Sequence, residues 1–509
     1  MIWRHLQSHF DYARFVYAQE TRLLWAFVLF AAGIVALPEA WVRPVFIAGA
    51  VAGALALIFD AGRIWSKWHA TRFRPRSRPY RHRDHHVQPE QAVQWKATEP
   101  RLAESSNQPG PVPVEFWWDE AVDRLLQRQS PYHANAAEPA PHRMLARLMS
   151  RDFDMPATLA KHAGAALRFD RNTSRRARLP VRFNGRLLRL STEPTVAQLE
   201  SGNVDVTPVT YFDGEASNEV WGLVNDSDLT SAAHAGSDAA EVSPVQEYVL
   251  DGSFNIRALE NAGAANIVGI SIMAVTADDH FIFVQQTAGN SVAPSALAAS
   301  GSGSLEHIDA DPDFRPWQLL IPSLLRSGAR ARKLRIPLTE LLLSGMLREM
   351  REESLVEESE IIDASAVVTG YFRWIDRAAK PEFAGLVRLS CTAVELQARR
   401  HTGGERAFTA GTVAVPIHEI VDSLALESRA AGQPPTHAQV MDAANEALLG
   451  KRRIHNLTLG PGHSGSPGQP RVLCSPSTEQ TLFAAVRFLL SEPQWMQPQP
   501  AVADGDQDC

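Results

Sequence analysis

Three glutamates, Glu349, Glu352 and Glu353, stand at i, i+3 and i+4 in the stretch LTELLLSGMLREMREESL. On a helix they project from one side within about one turn. Like charges held that close raise one another's pKa and cost stability unless a cation or an arginine neutralises them. Carboxylate oxygens on a rigid scaffold are hard ligands that suit Mg2+ or Mn2+. Spacing alone favours a second account: a solvated face in which Arg348 pairs with Glu352 and Arg351 offsets the rest. Leu342, Met346 and Met350 repeat at i, i+4 and i+8 on a neighbouring stripe, which would seat the helix against a sheet.

Residues 340–356 read E-x7-R-E-M-R-E-E-S-L-V. This resembles the Nudix box, G-x5-E-x7-R-E-U-x-E-E-x-G-U with U a bulky aliphatic residue. Glu340, Arg348, Glu349, Glu352 and Glu353 match its charged positions at the correct spacing. Two glycines are missing. Leu334 stands six residues before Glu340, and the nearest glycine run, with Gly301 and Gly303, lies upstream of an insertion that carries Arg326, Arg330, Arg332, Lys333 and Arg335. Leu355 replaces the glycine that lets such a helix end in a left-handed conformation, so termination is expected to differ or the helix to run on.

The resemblance covers about residues 245–400. It implies an α+β fold, a Nudix-like mixed sheet with flanking helices. It further implies that Glu349, Glu352 and Glu353 ligate Mg2+ or Mn2+, that Glu352 or Glu353 activates water, and that Arg348 orients the carboxylates. Gly301 and Gly303 would let backbone approach the phosphates, and Glu340 would pair near the helix start. The activity implied is hydrolysis of a nucleoside diphosphate-linked substrate. The alternative is a catalytically weak or inactive nucleotide-binding sensor or scaffold that signals through a membrane hairpin. Either way the partner is a nucleotide-type small molecule.

The elements that must position these residues are also legible. NIVGISIMAV and FIFVQQT are apolar, β-branched runs around a TADDH turn and read as a hairpin with a buried strand. ASGSGSLE reads as a glycine-rich loop, Pro337 opens the acidic helix, and SAVVTGYFRW and EFAGLVRLSCTAV read as two further strands. Upstream, Phe116, Trp117 and Trp118 are read as opening a helix, residues 141–165 as a second helix, and LPVRFNG with RLLRLSTEPT as strands around an Asn-Gly turn. Downstream, helices are expected near 417–428, 436–449 and 478–490. His455 and His463 fall in or beside a Gly/Pro loop, Cys391 in a strand pattern, and Glu382 in a turn from which it could add a carboxylate to the site.

The chain has 509 residues, with 45% hydrophobic and 21% charged, so it is globular and exceeds one ordinary domain. Its net charge of -7 divides into +6 over residues 1–90 and -13 over the rest, which disfavours bulk nucleic-acid binding by the body. Three scattered cysteines give neither a disulfide framework nor a zinc site. Residues 23–37 and 44–59 are apolar runs separated by PEAWVRP, with Trp25, Trp41, Trp65 and Trp68 placed as interfacial anchors. They read as an N-terminal transmembrane helical hairpin. The arginines and lysine that follow, from Arg63 to Arg83, would attract anionic headgroups of the lipid bilayer and keep both termini and the soluble domains cytoplasmic, at the inner membrane. Gly49 and Gly53 form a GxxxG in the second run, and a homo-oligomer stays open. The expected organisation is a membrane anchor with its basic segment (1–70), a tether (71–113) holding His82, His85 and His86, an accessory α+β region (114–244), the Nudix-like domain (245–400) and a mostly helical extension (401–509).

Overall fold

Apolar runs without polar alternation need cover on both faces, and the central sheet of this chain supplies strands covered in that way. The computed structural model describes residues 73–75, 96–97, 101–104, 111–114, 116–134, 143–176, 184–196, 202–225, 243–251, 256–287, 295–311, 335–399, 409–450, 459–461 and 470–497, with positions 11, 12, 15, 51, 58 and 198. The elements that build the site are, in chain order, β1 (Phe116–Trp118), α1 (Glu120–Arg128), β2 (Leu145–Leu148), α2 (Ala157–Arg176), β3 (Arg186–Leu190) and β4 (Asn203–Thr210). There follow β5 (Gly269–Val275), β6 (His280–Gln286), β7 (Leu297–Ala298), β8 (Gly301–Ser304), β9 (Arg335–Pro337) and α3 (Leu338–Ser354). The last are β10 (Ile361–Trp374), β11 (Lys380–Leu389), β12 (Thr409–Pro416), α4 (His418–Ala431), α5 (His437–Gly450) and α6 (Pro476–Ser491).

The main sheet has nine strands. Its path runs β7-β6-β5-β11-β10-β1 and ends on Lys96–Ala97, with β8 paired to β5 and β12 paired to β6. β5 and β6 form the expected antiparallel hairpin, Ala274 opposite Ile282 and Val275 opposite Phe281. β5 runs parallel to β11, from Gly269 opposite Glu382 to Val275 opposite Arg388. Alternation along β5 then divides the core. Ile270, Ile272 and Ala274 join Val368, Tyr371 and Phe383 under α1 and α3. Met273 and Val275 join Phe281, Phe283 and Leu386 under α4, α5 and α6. The sheet is thus a middle layer between helices.

A smaller sheet, β9-β2-β4-β3, sets the entry to α3. β9 leads straight into the helix, the Leu338 amide donates to Met144 O at 2.8 Å, and the Thr339 hydroxyl donates to Gln129 O at 3.0 Å. Strand pairing therefore fixes the start of this helix. Leu334 and the basic residues from Arg326 to Lys333 lie outside the described residues.

Several expectations are corrected. The fold is mixed α/β, and no transmembrane hairpin is found: among the described residues no helix is long and apolar enough to cross a membrane. The two runs themselves, 23–37 and 44–59, lie outside the described residues apart from Val51 and Ile58, and so does the basic segment that follows them apart from Phe73–Pro75. Phe116, Trp117 and Trp118 form β1 opposite Trp374, Arg373 and Phe372; the helix begins only after Asp119, whose carboxylate caps it by accepting from the Ala121 amide at 2.8 Å. Residues expected to be helical from 141 onward instead make β2, because Leu145, Ala146, Arg147 and Leu148 pair in parallel with β4; the helix follows as α2. The stretch read as a tether contains Phe73–Pro75, paired with Leu223–Asn225, and Arg101–Glu104, paired with Pro111–Val114. SCTAV leaves the strand pattern, since Ala393–Ala398 is a helix capped by Thr392. LPVRF, the trio His82, His85 and His86, and both His455 and His463 lie outside the described residues.

Leu355 departs from expectation in another way. It takes the left-handed conformation itself, with φ 57° and ψ 29°, and ends α3 at Ser354. That geometry costs a non-glycine residue about 1–2 kcal/mol. Local contacts oppose the cost: Ser354 Oγ donates to Ser300 O, and Arg399 Nη1 donates to Leu355 O at 2.6 Å while the same guanidinium grips Glu360. Leu342, Met346 and Met350 are each 0% exposed against the sheet, as their spacing indicates. Leu342→Ala is therefore expected to cost about 2–5 kcal/mol in denaturant unfolding, whereas Ser344→Ala, on the exposed side, should stay within about 0.5 kcal/mol.

Candidate functional site

Three elements converge at the C-terminal half of α3: the helix itself, β8, and the short helix His307–Ala310 that follows β8. The run expected to be a glycine loop is strand β8, antiparallel to β5 with Ile270 opposite Gly303 and Ile272 opposite Gly301. It lies hard against α3. A Cβ on Gly301 would sit 2.3 Å from the Met350 amide nitrogen, and one on Gly303 would sit 2.3 Å from the Glu349 carboxyl carbon. Both glycines are thus explained by helix packing, with Glu349 occupying the space beside Gly303 that the sequence reading gave to a phosphate.

Arg348 is the hub. Its Nε donates to Asp309 Oδ1 at 2.9 Å and Nη2 to Asp309 Oδ2 at 3.0 Å, a bidentate pair; Nη1 donates to Glu349 Oε1 at 2.9 Å and Nη2 to Ser304 O at 3.2 Å. Glu352, expected as its main partner in the solvated account, stands 3.9 Å away and is half exposed. Asp309 is the residue that the sequence reading missed. Its side chain is 3% exposed, and its Oδ2 also accepts from the Glu306 amide at 2.7 Å. The signal was present as E-x-x-D directly after the glycine run, a reciprocal capping pattern for a helix start.

The carboxylates meet different fates. Burial pushes the Glu349 carboxyl up to about 7, with Arg348 pulling it down by less and the charges of Glu352 and Glu306 pushing it further up. Burial also raises Glu306, again against the pull of Arg348. Arg348 itself loses some affinity for its proton to burial, but hydrogen bonds and charge from Asp309, Glu349 and Glu306 outweigh that and hold it cationic. Glu353 Oε2 accepts from the Ser302 amide at 2.8 Å and from the Ser302 hydroxyl at 3.2 Å. Glu340 sits nine residues before Glu349, about 14 Å along the axis, and pairs with Arg143 at 3.0 Å on the surface. Its expected place near the helix start is what the structure gives. Glu382 is elsewhere: it is buried on β11 with Lys380 Nζ donating to it at 2.5 Å. The thiol of Cys391 is pushed up to about 11 by burial and then by Glu360, too weak an acid for a neutral-pH nucleophile.

The donor set has the right chemistry for Mg2+ or Mn2+, but its arrangement does not fit. Glu349 faces Arg348 and Gly303 while Glu353 faces Ser302, and among the described residues no group of three or more His, Cys, Asp or Glu is disposed to hold a metal ion.

No protein-family profile matches this chain, and no curated protein matches it. Among solved structures it is similar to DR0079 from Deinococcus radiodurans, with 14% identity over 37% of this chain and 83% of that one, at a TM-score of 0.18. A likeness that slight carries no weight for fold or activity.

Two measurements check the geometry. Gly301→Ala should destabilise by about 3 kcal/mol in thermal or denaturant unfolding, because the backbone of Met350 cannot step aside, while Ser302→Ala should cost about 1 kcal/mol. The pH test follows from Glu349. Its folded pKa of about 7 lies above its ordinary 4.5, so the stability it contributes is present below pH 4.5 and lost as pH rises through 7. Glu349→Gln should flatten that part of the stability profile relative to the parent.

Proposed function

We propose that the chain is a Nudix-like hydrolase that cleaves a nucleoside diphosphate-linked compound beside the C-terminal half of α3. One observation supports it above the rest: a carboxyl raised to about 7, that of Glu349, stands next to an arginine held in a fixed orientation. A base works best when its pKa lies near the working pH. In this reading water attacks a phosphorus atom, its proton passes to Glu349, and the diphosphate P–O bond breaks. Arg348, oriented by Asp309 and Ser304 O, offsets charge that builds on the phosphorus oxygens. Arg348 keeps the role of orienting the carboxylates, and the base moves from Glu352 or Glu353 to Glu349. Mg2+ or Mn2+ is the cation that the resemblance implies, so turnover is measured with each and with a chelator.

A second reading, nucleotide binding without hydrolysis, is favoured by the engagement of Glu349 with Arg348 and of Glu353 with Ser302. Oxygens already held by protein donors are less open to a metal. A panel of dinucleotides, nucleotide sugars and oxidised nucleotides separates the two. The hydrolase reading expects phosphate or nucleotide release from at least one compound, a roughly hundredfold to ten-thousandfold loss in Glu349→Gln, and near-parental turnover in Glu340→Gln. Binding that persists with no turnover under any cation condition would move the function to the second reading.

A further inference from the structure

A cavity separate from the acidic helix lies between α1, β10, α6 and the segment that joins α4 to α5. Its volume of about 430 Å³ falls within the roughly 300–1,000 Å³ of small-molecule sites. Two aromatic rings and a guanidinium form one wall. Trp118 and Phe483 stand edge to face with ring centroids 5.8 Å apart, and the Arg487 guanidinium lies over the Trp118 ring at 4.5 Å. Polar groups form the other. Gln480 is 3% exposed and Thr369 1%, yet Nε2 of Gln480 and the hydroxyl of Thr369 have no hydrogen-bond partner among the described residues. Buried polar atoms are nearly always paired, so two unpaired ones on the lining of one cavity point to a ligand that completes them.

Asp123 adds a third polar group. Its Oδ1 accepts from the Tyr371 amide at 2.8 Å. Burial pushes its carboxyl up to about 8, against the pull of the Tyr371 amide and Arg487 and with the push of Asp119 and Glu120. At neutral pH it therefore both donates and accepts. A planar ring with donors and acceptors along its edge suits such a lining, because aromatic and guanidinium planes stack on its face while amide, hydroxyl and carboxyl groups read its edge. Arg124 and Arg429, both exposed, add positive charge to the same lining, which suits a phosphate attached to such a ring.

We propose that this cavity binds a nucleotide, with its base between the Trp118, Phe483 and Arg487 wall and the polar groups of Asp123, Thr369 and Gln480. The site shares no residue with α3 and does not rest on the hydrolytic reading. The experiment is calorimetric titration of the full chain with AMP, GMP, CMP and UMP, with ribose 5-phosphate as the ring-free probe. Saturable binding of at least one nucleotide is expected, with none for ribose 5-phosphate. Thr369→Val and Gln480→Leu should each weaken it roughly threefold to tenfold. Both remove an unpaired buried group at nearly constant volume, so their unfolding midpoints should hold or rise. The proposal is overturned if no nucleotide binds, if ribose 5-phosphate binds as well, or if both variants bind like the parent. Loss of binding in Glu349→Gln would assign the nucleotide to α3 and also overturn it.

Discussion

A partly buried guanidinium that neutralises a converging set of carboxylates is the interaction on which the candidate site depends. Arg348 binds Asp309 through two nitrogens and spends the rest of its donors on Glu349 and the carbonyl of Ser304. Those contacts join α3, β8 and the short helix after it. Without the cation, Asp309, Glu306 and Glu349 would be negative charges close together and away from water, an arrangement that costs several kcal/mol. With it, Arg348 stays charged and eases the ionisation of Glu349, although burial outweighs that pull and keeps the Glu349 carboxyl raised to about 7. A planar five-donor group can do this, and a lysine cannot, because the fork reaches two carboxylates and a carbonyl at once.

Close packing supplies the second constraint. β8 approaches α3 so nearly that side chains at 301 and 303 would overlap the helix backbone and the Glu349 carboxyl. Gly345 makes the matching concession from the helix, since a Cβ there would come within 2.7 Å of Leu305 and 2.8 Å of Ile270. The reverse face of the same sheet is closed by α4, α5 and α6, which explains why β5 and β11 are buried along their whole length. Helices from the C-terminal stretch and β1 from the N-terminal stretch therefore share one core with the strands between them.

Much of this was legible locally. The β5–β6 hairpin, the packing stripe Leu342, Met346 and Met350, the opening of α3 at Pro337 and the three late helices follow from periodicity and turn chemistry, which act over a few residues. The aromatic run at β1 misled because three consecutive aromatic residues suit a helix face or a strand equally, and the partner that settles the matter, β10, lies some 250 residues away. The glycine run misled for the same reason. Gly-Ser repeats look like loop until a neighbouring helix demands the missing side chains.

Residue order alone determined which groups could do chemistry: three glutamates on one helical side, an arginine beside them, and an E-x-x-D cap close to a glycine run. Those features are short-range, set by 3.6 residues per turn and by the donors each side chain carries. The tertiary structure alone decided how the charges are shared. It gave Arg348 to Asp309 rather than Glu352, turned Glu353 to Ser302, and tucked Glu349 against Gly303. Charge partners and desolvation depend on distance through space, and that distance exists only once the chain has closed.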